Sequence, residues 1–335
     1  MLSARFRRLT VALVVVSFLA LSLLGCGGGQ APEPEATSEI DLIIQGAKDY
    51  LAAGNPPTIS AQDVYNNVVV GKDPGYFLLS IRSPKHYAIG HVPGAVNIPY
   101  REIWKEENMA KIPKDKKIVV ICYTGHTASQ VTALLNMLGY EAYAMKFGMM
   151  GWTSDPEVLG ISTYDCSNPP SYPVATEATE GGADNELPEV ATGKTTAEEV
   201  ILARAEAYLT SGQGPTISAA DVYNNVVVAK DPDYFVLSIR SPDHYAKGHV
   251  EGSINIPWRE IAKEENLKKL PKDKKIVVVC YTGHTASQTT MFLNLLGYEA
   301  YAMKFGMMGY NADPEVLNLA AFDCNPPNYP VEAGN

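Results

Sequence analysis

The chain has 335 residues, 46% of them hydrophobic, and a formal net charge of −10. That length is enough for two ordinary domains with cores of their own. The acidic balance excludes a nucleic-acid binder, which needs basic patches. It does not exclude a small anionic substrate, because a site is governed by its local field.

Arg5, Arg7 and Arg8 precede an apolar run from Leu9 to Leu24, which ends in Leu23-Leu24-Gly25-Cys26. This is a targeting segment rather than part of the fold. Its sixteen residues fall short of the about 20 that a membrane span takes. Leu-Leu-Gly-Cys resembles the lipobox of bacterial lipoproteins. The resemblance implies that residues 1–25 are a signal peptide, and that Cys26 is lipidated and becomes the new N-terminus. An uncleaved anchor and a plain secretory signal are the alternatives, and all three place the remainder outside the cytoplasm. The lipobox reading makes it a membrane-anchored lipoprotein. Cleavage leaves 335 − 25 = 310 residues and, with three arginines gone, takes the charge from −10 to −13. Residues 26–38, rich in Gly, Pro and acids, read as a flexible tether.

The rest of the chain is an internal repeat. Tyr50 pairs with Tyr208, Asp63 with Asp221 and Cys122 with Cys280, each at an offset of 158. The repeating unit is a whole domain rather than a solenoid repeat: residues 39–173 and 197–331, with 174–196 as an exposed linker. Identity between the copies is no measure of constraint, since a recent duplication would give the same result.

Within the first unit an amphipathic helix presents Ile43, Ala47, Tyr50 and Leu51 on one face. Ser60-x-x-Asp63 predicts a capping box before a helix carrying Val64 and Tyr65. Tyr76 to Ile81 and Ala95 to Ile98 read as strands, and a helix follows from Arg101 to Met109. Lys111, Lys114, Lys116 and Lys117 form a solvated turn. Ile118 to Ile121 is a short apolar run of the kind a buried parallel strand uses. It ends at Cys122. A polar turn, Tyr123-Thr124-Gly125-His126-Thr127, leads into a helix with Ala128, Val131, Leu134, Leu135 and Leu138 on one side, with Gly139 as its C-cap. Glu141 to Met145 is the last strand. Alternating strands and helices predict an α/β fold with a parallel sheet flanked by helices in each unit. Ligands of such sheets bind outside the carboxyl ends of the strands.

Cys122 and Cys280 are predicted to sit there, with loop amides and a helix N-terminus aimed at sulfur. Such surroundings favour an anion and lower a thiol pKa from about 8.5 toward ~7 or below. A small buried cysteine closing a core strand is the bland alternative. Gly125 and Gly283 let the loop curl with its N–H groups inward.

Cys-x-x-Gly-x-Thr between strand and helix resembles the active loop of the rhodanese family of sulfurtransferases. HYAIGHVPGAVNIP (His86 to Pro99) and HYAKGHVEGSINIP (His244 to Pro257) are similar to that family's Gly-His-Ile-x-Gly-Ala-x-Asn-Ile-Pro signature. KFGMMGW (Lys146 to Trp152) resembles its closing segment, with Tyr310 in place of the tryptophan in the second copy. The resemblance covers most of both repeats and implies two tandem rhodanese-like domains with Cys122 and Cys280 as catalytic nucleophiles. It implies that a small sulfur-donor anion, such as thiosulfate, mercaptopyruvate or polysulfide, loads each cysteine as a persulfide. A thiol or cyanide acceptor then removes the sulfur in a ping-pong cycle, with no cofactor. The substrate-binding loops are Tyr123, Thr124, Gly125, His126 and Thr127, and Tyr281, Thr282, Gly283, His284 and Thr285. Tyr123, Thr124, His126 and their copies line the mouth, where a histidine near neutrality adds charge as pH falls. A partly exposed histidine of no special role is the alternative. Thr127 and Thr285 cap the following helix or donate a hydroxyl toward the persulfide. Both copies retain the cysteine, whereas many tandem rhodaneses have one dead copy.

Where the family usually has Asp, this chain has Ser80 and Ser238, followed by Arg82 and Arg240. Without that carboxylate the arginines bind backbone carbonyls or add positive potential near the loop. His86 with His91, and His244 with His249, lack the companions of a metal site, so no metal is expected. His91 and His249 fix their turns by local hydrogen bonds. Cys166 and Cys324 are inert, bridge each other or act as resolving thiols; the sequence leaves all three open. A phosphatase or arsenate reductase needs a longer Cys-x5-Arg loop, and Ala128 and Ala286 stand where the arginine would be. A non-enzymatic sulfur carrier or redox-sensing lipoprotein is the competing function.

Overall fold

A computed structural model of the chain describes residues 37–54, 57–179 and 181–334. The lipobox and Cys26 lie outside the described residues. The first domain has strands β1 (Thr58–Ile59), β2 (Tyr76–Ser80), β3 (Val96–Asn97), β4 (Lys117–Ile121) and β5 (Glu141–Met145). Its helices are α1 (Glu39–Ala52), α2 (Ala61–Val64), α3 (Pro84–Ile89), α4 (Glu106–Met109), α5 (His126–Met137) and α6 (Pro156–Leu159). The second domain repeats the plan with β6 (Thr216–Ile217), β7 (Tyr234–Ser238), β8 (Ile254–Asn255), β9 (Lys275–Val279) and β10 (Glu299–Met303). Its helices are α7 (Ala197–Thr210), α8 (Ala219–Val222), α9 (Pro242–Ala246), α10 (Glu264–Leu267), α11 (His284–Leu296), α12 (Gly306–Tyr310) and α13 (Pro314–Leu317).

Each sheet is parallel, in the orders β1-β5-β4-β2-β3 and β6-β10-β9-β7-β8. β4 is therefore the middle strand, buried on both faces by Ile118, Val119, Val120 and Ile121, which explains its unbroken apolar run. The serine half of the predicted capping box forms: Ser60 Oγ accepts the Asp63 N–H at 3.0 Å, as Ser218 does from Asp221 at 3.0 Å, and each Asp carboxylate accepts the serine hydroxyl at 2.6 Å. α2 does not continue as an α-helix; Tyr65–Val70 is a π-helical segment. The helix expected from Arg101 to Met109 is interrupted. Only Tyr100–Glu102, as a 3₁₀ turn, and α4 are helical. The Trp104 indole donates to Arg101 O at 3.0 Å and the Asn108 amide to Glu102 O at 2.8 Å, competing for carbonyls that a continuous helix would bond four residues on.

The two domains pack about a relation that repeats the 158 offset in both partners. α5 lies along α11 and α1 along α7, and their buried faces form one core between the sheets. The outer faces are closed by exchange. After the first domain the chain crosses to the second: Tyr172 donates its N–H to Tyr310 O at 3.0 Å, its ring stacks on Tyr223 at 4.7 Å, and Ala175 bridges His249. The C-terminal segment crosses the other way. Tyr329 donates to Trp152 O at 3.1 Å and stacks on Tyr65 at 4.1 Å, and Glu332 bridges His91. A boundary at 173 thus follows the repeat rather than the packing. The segment 174–196 is anchored by Leu187 and Val190 against the core and by Thr192 and Gly193, whose N–H groups reach the Glu39 carboxylate at 2.6 and 2.8 Å.

Cys166 and Cys324 form a disulfide, with Cα atoms 6.1 Å apart. Of the three fates open in the sequence, they bridge each other, because each stands at the start of a crossing segment and the segments meet midway between the domains.

Candidate active site

Cys122 follows the last residue of β4, and Cys280 follows β9. The chain turns through Gly125 at φ +86° and Gly283 at φ +87°, the N-caps of α5 and α11. This left-handed conformation turns the Gly125 N–H back onto Cys122 Sγ at 3.1 Å, and the Gly283 N–H onto Cys280 Sγ at 3.1 Å. A donor at that distance, backed by the positive end of a helix, stabilises charge on sulfur. The caps are the glycines themselves; among the described residues no side chain caps either helix. Thr127 and Thr285 are the second residues of their helices, beyond the cap position, so the capping expected of them does not occur.

The segment after β5 closes over the loop. Met149 N–H donates to Cys122 O at 2.9 Å and Met150 N–H to Tyr123 O at 2.9 Å. Gly148, at φ +54°, packs so closely that a Cβ there would collide with Cys122 O and lie 2.8 Å from Gly125 N. The buried Trp152 anchors this segment, and Tyr310 does so in the second copy.

Beneath the loop, Arg82 is fully buried and donates to the carbonyls of Gly90 (2.7 Å), His86 (3.0 Å) and Val158, with its guanidinium 5.0 Å from the Tyr123 ring centre. Arg240 repeats this with Gly248 O (2.7 Å), Val316 O (2.5 Å) and Tyr281. Burial lowers the pKa of both guanidiniums, and the neighbouring tyrosine and cysteine oppose the shift. Of the two roles expected for these arginines, carbonyl binding is realised: Arg82 ties the turn after α3 to α6, Arg240 ties the turn after α9 to α13, and each supports its loop tyrosine. Tyr123 OH sits 2.8 Å from His86 Nδ1, and Tyr281 OH 2.7 Å from His244 Nδ1. His91 Nδ1 pairs with Tyr87 O at 2.8 Å and His249 Nδ1 with Tyr245 O at 2.9 Å. The two histidines of each motif thus serve different partners.

The loop histidines depart from their expected place. His126 is 2% exposed and His284 3%, so neither lines an open mouth. His284 Nε2 accepts the Phe147 N–H at 3.0 Å, and His126 Nε2 accepts the Phe305 N–H at 2.9 Å. With Nε2 accepting, the ring proton resides on Nδ1 and is donated to Thr124 Oγ1 (2.8 Å) and Thr282 Oγ1 (2.9 Å). The imidazoles stack on each other at 5.8 Å. Burial pushes both pKa values down, that of His284 to about 3, with nearby Lys146 adding to the effect; at His126 the other imidazole and Lys304 add. The histidines are therefore neutral at neutral pH, and the expected gain of charge near neutrality is overturned. The two loops face each other, and both thiols are covered: Cys122 is 1% exposed and Cys280 2%. Nothing in either repeat alone carries this cross-domain pairing.

Residues 60–155 and 218–313 match the rhodanese-like domain family. Relatives include the thiosulfate:glutathione sulfurtransferase of Saccharomyces cerevisiae, 28% identical in a 99-residue alignment that covers 26% of this chain and 71% of that protein. The putative sulfurtransferase YtwF of Bacillus subtilis is 31% identical over 25% of this chain and 79% of its own length. A sulfurtransferase of Allochromatium vinosum is 33% identical over 22% of this chain and 69% of its own. Each of these alignments is shorter than one repeat. The chain belongs to the rhodanese-like domain family, as a tandem pair of its α/β domains. Its enzyme class is sulfurtransferase.

Proposed function

We propose that the protein moves sulfane sulfur from a small donor anion (thiosulfate, mercaptopyruvate or polysulfide) to a thiol or cyanide acceptor, through persulfides on Cys122 and Cys280. The carrying observation is the N–H of Gly125 or Gly283 held 3.1 Å from each sulfur at a helix N-terminus. With thiosulfate as donor, the cysteine thiolate attacks the outer sulfur. The sulfur–sulfur bond breaks, sulfite leaves with the electron pair, and the cysteine holds the persulfide. An acceptor thiolate attacks the terminal sulfur and the cysteine thiolate is released. The Gly125 or Gly283 N–H and the helix N-terminus stabilise the cysteine anion at both ends of the cycle, so no general base is needed. Because both thiols are covered, reaction requires the facing loops to part.

The same burial gives weight to a second reading, a carrier that loads sulfur and yields it only to a dedicated protein. Steady-state turnover with thiosulfate and a small thiol separates the two. The enzyme reading predicts many turnovers per cysteine, with Cys122→Ser and Cys280→Ser each leaving substantial activity and the double variant almost none. A single loading without turnover supports the carrier.

The N-terminal segment supports an extracytoplasmic protein held to a membrane by lipid on Cys26. Cys26→Ala should abolish incorporation of labelled fatty acid while leaving sulfur transfer intact; recovery of the wild type from the cytosol with Met1 attached contradicts the anchor.

A further inference from the structure

The sulfurtransferase reading treats each domain as a self-sufficient site, with its own loop lining its own mouth. The contacts across the interface assign the histidines otherwise. The His284 ring abuts Gly125, the residue whose N–H holds Cys122 Sγ; a Cβ on Gly125 would collide with His284 Nε2. His284 also accepts the N–H of Phe147, which adopts the left-handed conformation at φ +62° just before the glycine that covers the Cys122 loop. The reciprocal set is complete: His126 abuts Gly283, bonds to Phe305 N, and Phe305 has φ +64°.

We propose that access to each thiol is controlled by the histidine of the opposite domain: His284 sets what reaches Cys122, and His126 what reaches Cys280. The proposal rests on the sulfurtransferase reading only in naming the visitor a sulfur donor. Within its own domain each histidine has one side-chain bond, to the loop threonine at 2.8 or 2.9 Å. Its other nitrogen and one face of its ring are committed to the other site. The bond to Phe147 N fixes His284 against the rim, and a strained non-glycine residue stays in that conformation only while its surroundings hold it there. A donor enters when this bond opens, so the bulk and hydrogen-bonding reach of residue 284 select donors for Cys122. Each domain is thereby the specificity element of the other.

Alkylation of the full-length chain, read cysteine by cysteine by peptide mass spectrometry, tests this without requiring sulfur transfer. Iodoacetamide and the bulkier N-ethylmaleimide serve as small and large probes. His284→Ala should accelerate alkylation of Cys122 by about ten-fold, the equivalent of one buried hydrogen bond, and more for the larger probe. Cys280, still covered by His126, should gain less. His126→Ala should give the mirror result. His284→Gln, whose amide oxygen can accept the Phe147 N–H, should bring Cys122 back toward the wild-type rate. Acceleration of the cysteine in the same domain as the substitution, equal acceleration of both, or no change would each overturn the proposal. Equal acceleration would mark general loosening of the interface, which the Gln variant and the unfolding midpoint report separately. Failure of sulfur loading with these alkylation results intact would indict the activity and leave the access assignment standing.

Discussion

Phe147 donates its backbone N–H to His284 Nε2 at 3.0 Å, and Phe305 returns the bond to His126 at 2.9 Å. Two residues 158 positions from their counterparts thus close one interface, and both bonds require an unprotonated acceptor. The histidines face each other, and the flanking cations are Lys146 beside His284 and Lys304 beside His126.

This arrangement dictates a pH dependence of stability. His284 has a pKa of about 3 in the folded protein against an ordinary imidazole value of 6.5, and His126 is lowered as well. Between those values the unfolded chain binds more protons than the folded one, so stability rises with pH across the window and is lost on acidification below 6.5. His284 contributes up to ~1.4 kcal/mol per pH unit there, and His126 acts in the same direction. Urea midpoints from pH 7 to pH 4 should fall more steeply in the wild type than in His284→Gln. Parallel curves would contradict the neutral, buried imidazole.

The disulfide between Cys166 and Cys324 links residues 158 apart in sequence and ties the two crossing segments together. Cross-links over long loops stabilise mainly by restricting the unfolded chain, by roughly 2–5 kcal/mol. Cys166→Ser with Cys324→Ser should lower unfolding free energy by that order, with Cys122 and Cys280 still loading sulfur. An unchanged denaturation curve would contradict the link.

The two repeats build one buried hydrogen-bond network differently. Gln130 accepts from Tyr208 OH at 3.1 Å and from Tyr100 OH, and donates to Pro215 O at 3.1 Å. Around Gln288 Trp258 replaces Tyr100, and among the described residues the Tyr50 OH and both polar atoms of Gln288 find no partner. Tyr208→Phe should cost about 1 kcal/mol and Tyr50→Phe nothing, or slightly stabilise. Equal costs, measured by chemical denaturation, would contradict the asymmetry.

How far the sequence reached follows from the range of each interaction. The run Ile118 to Ile121, the Ser60–Asp63 box and the positive-φ glycines are local, and they revealed the sheet, the loop and the placement of both thiols. The interruption near Trp104 was hidden because it depends on side chains competing for backbone carbonyls. The pairing of His126 with Phe305 was hidden because neither repeat encodes its orientation toward the other. One signal was available in retrospect. Cys166 and Cys324 occupy equivalent positions, and equivalent residues of two copies meet only near the axis that relates them.

On the proposed function, Cys122 and Cys280 both carry transferable sulfur. Mass spectrometry of the full-length chain after incubation with thiosulfate, followed by peptide assignment, tests it directly. The expected result is a gain of one sulfur atom on each of Cys122 and Cys280, lost on addition of a small thiol and absent from Cys122→Ser/Cys280→Ser. Sulfur found on neither cysteine with any of thiosulfate, mercaptopyruvate or polysulfide, or only on Cys166 and Cys324, would contradict it.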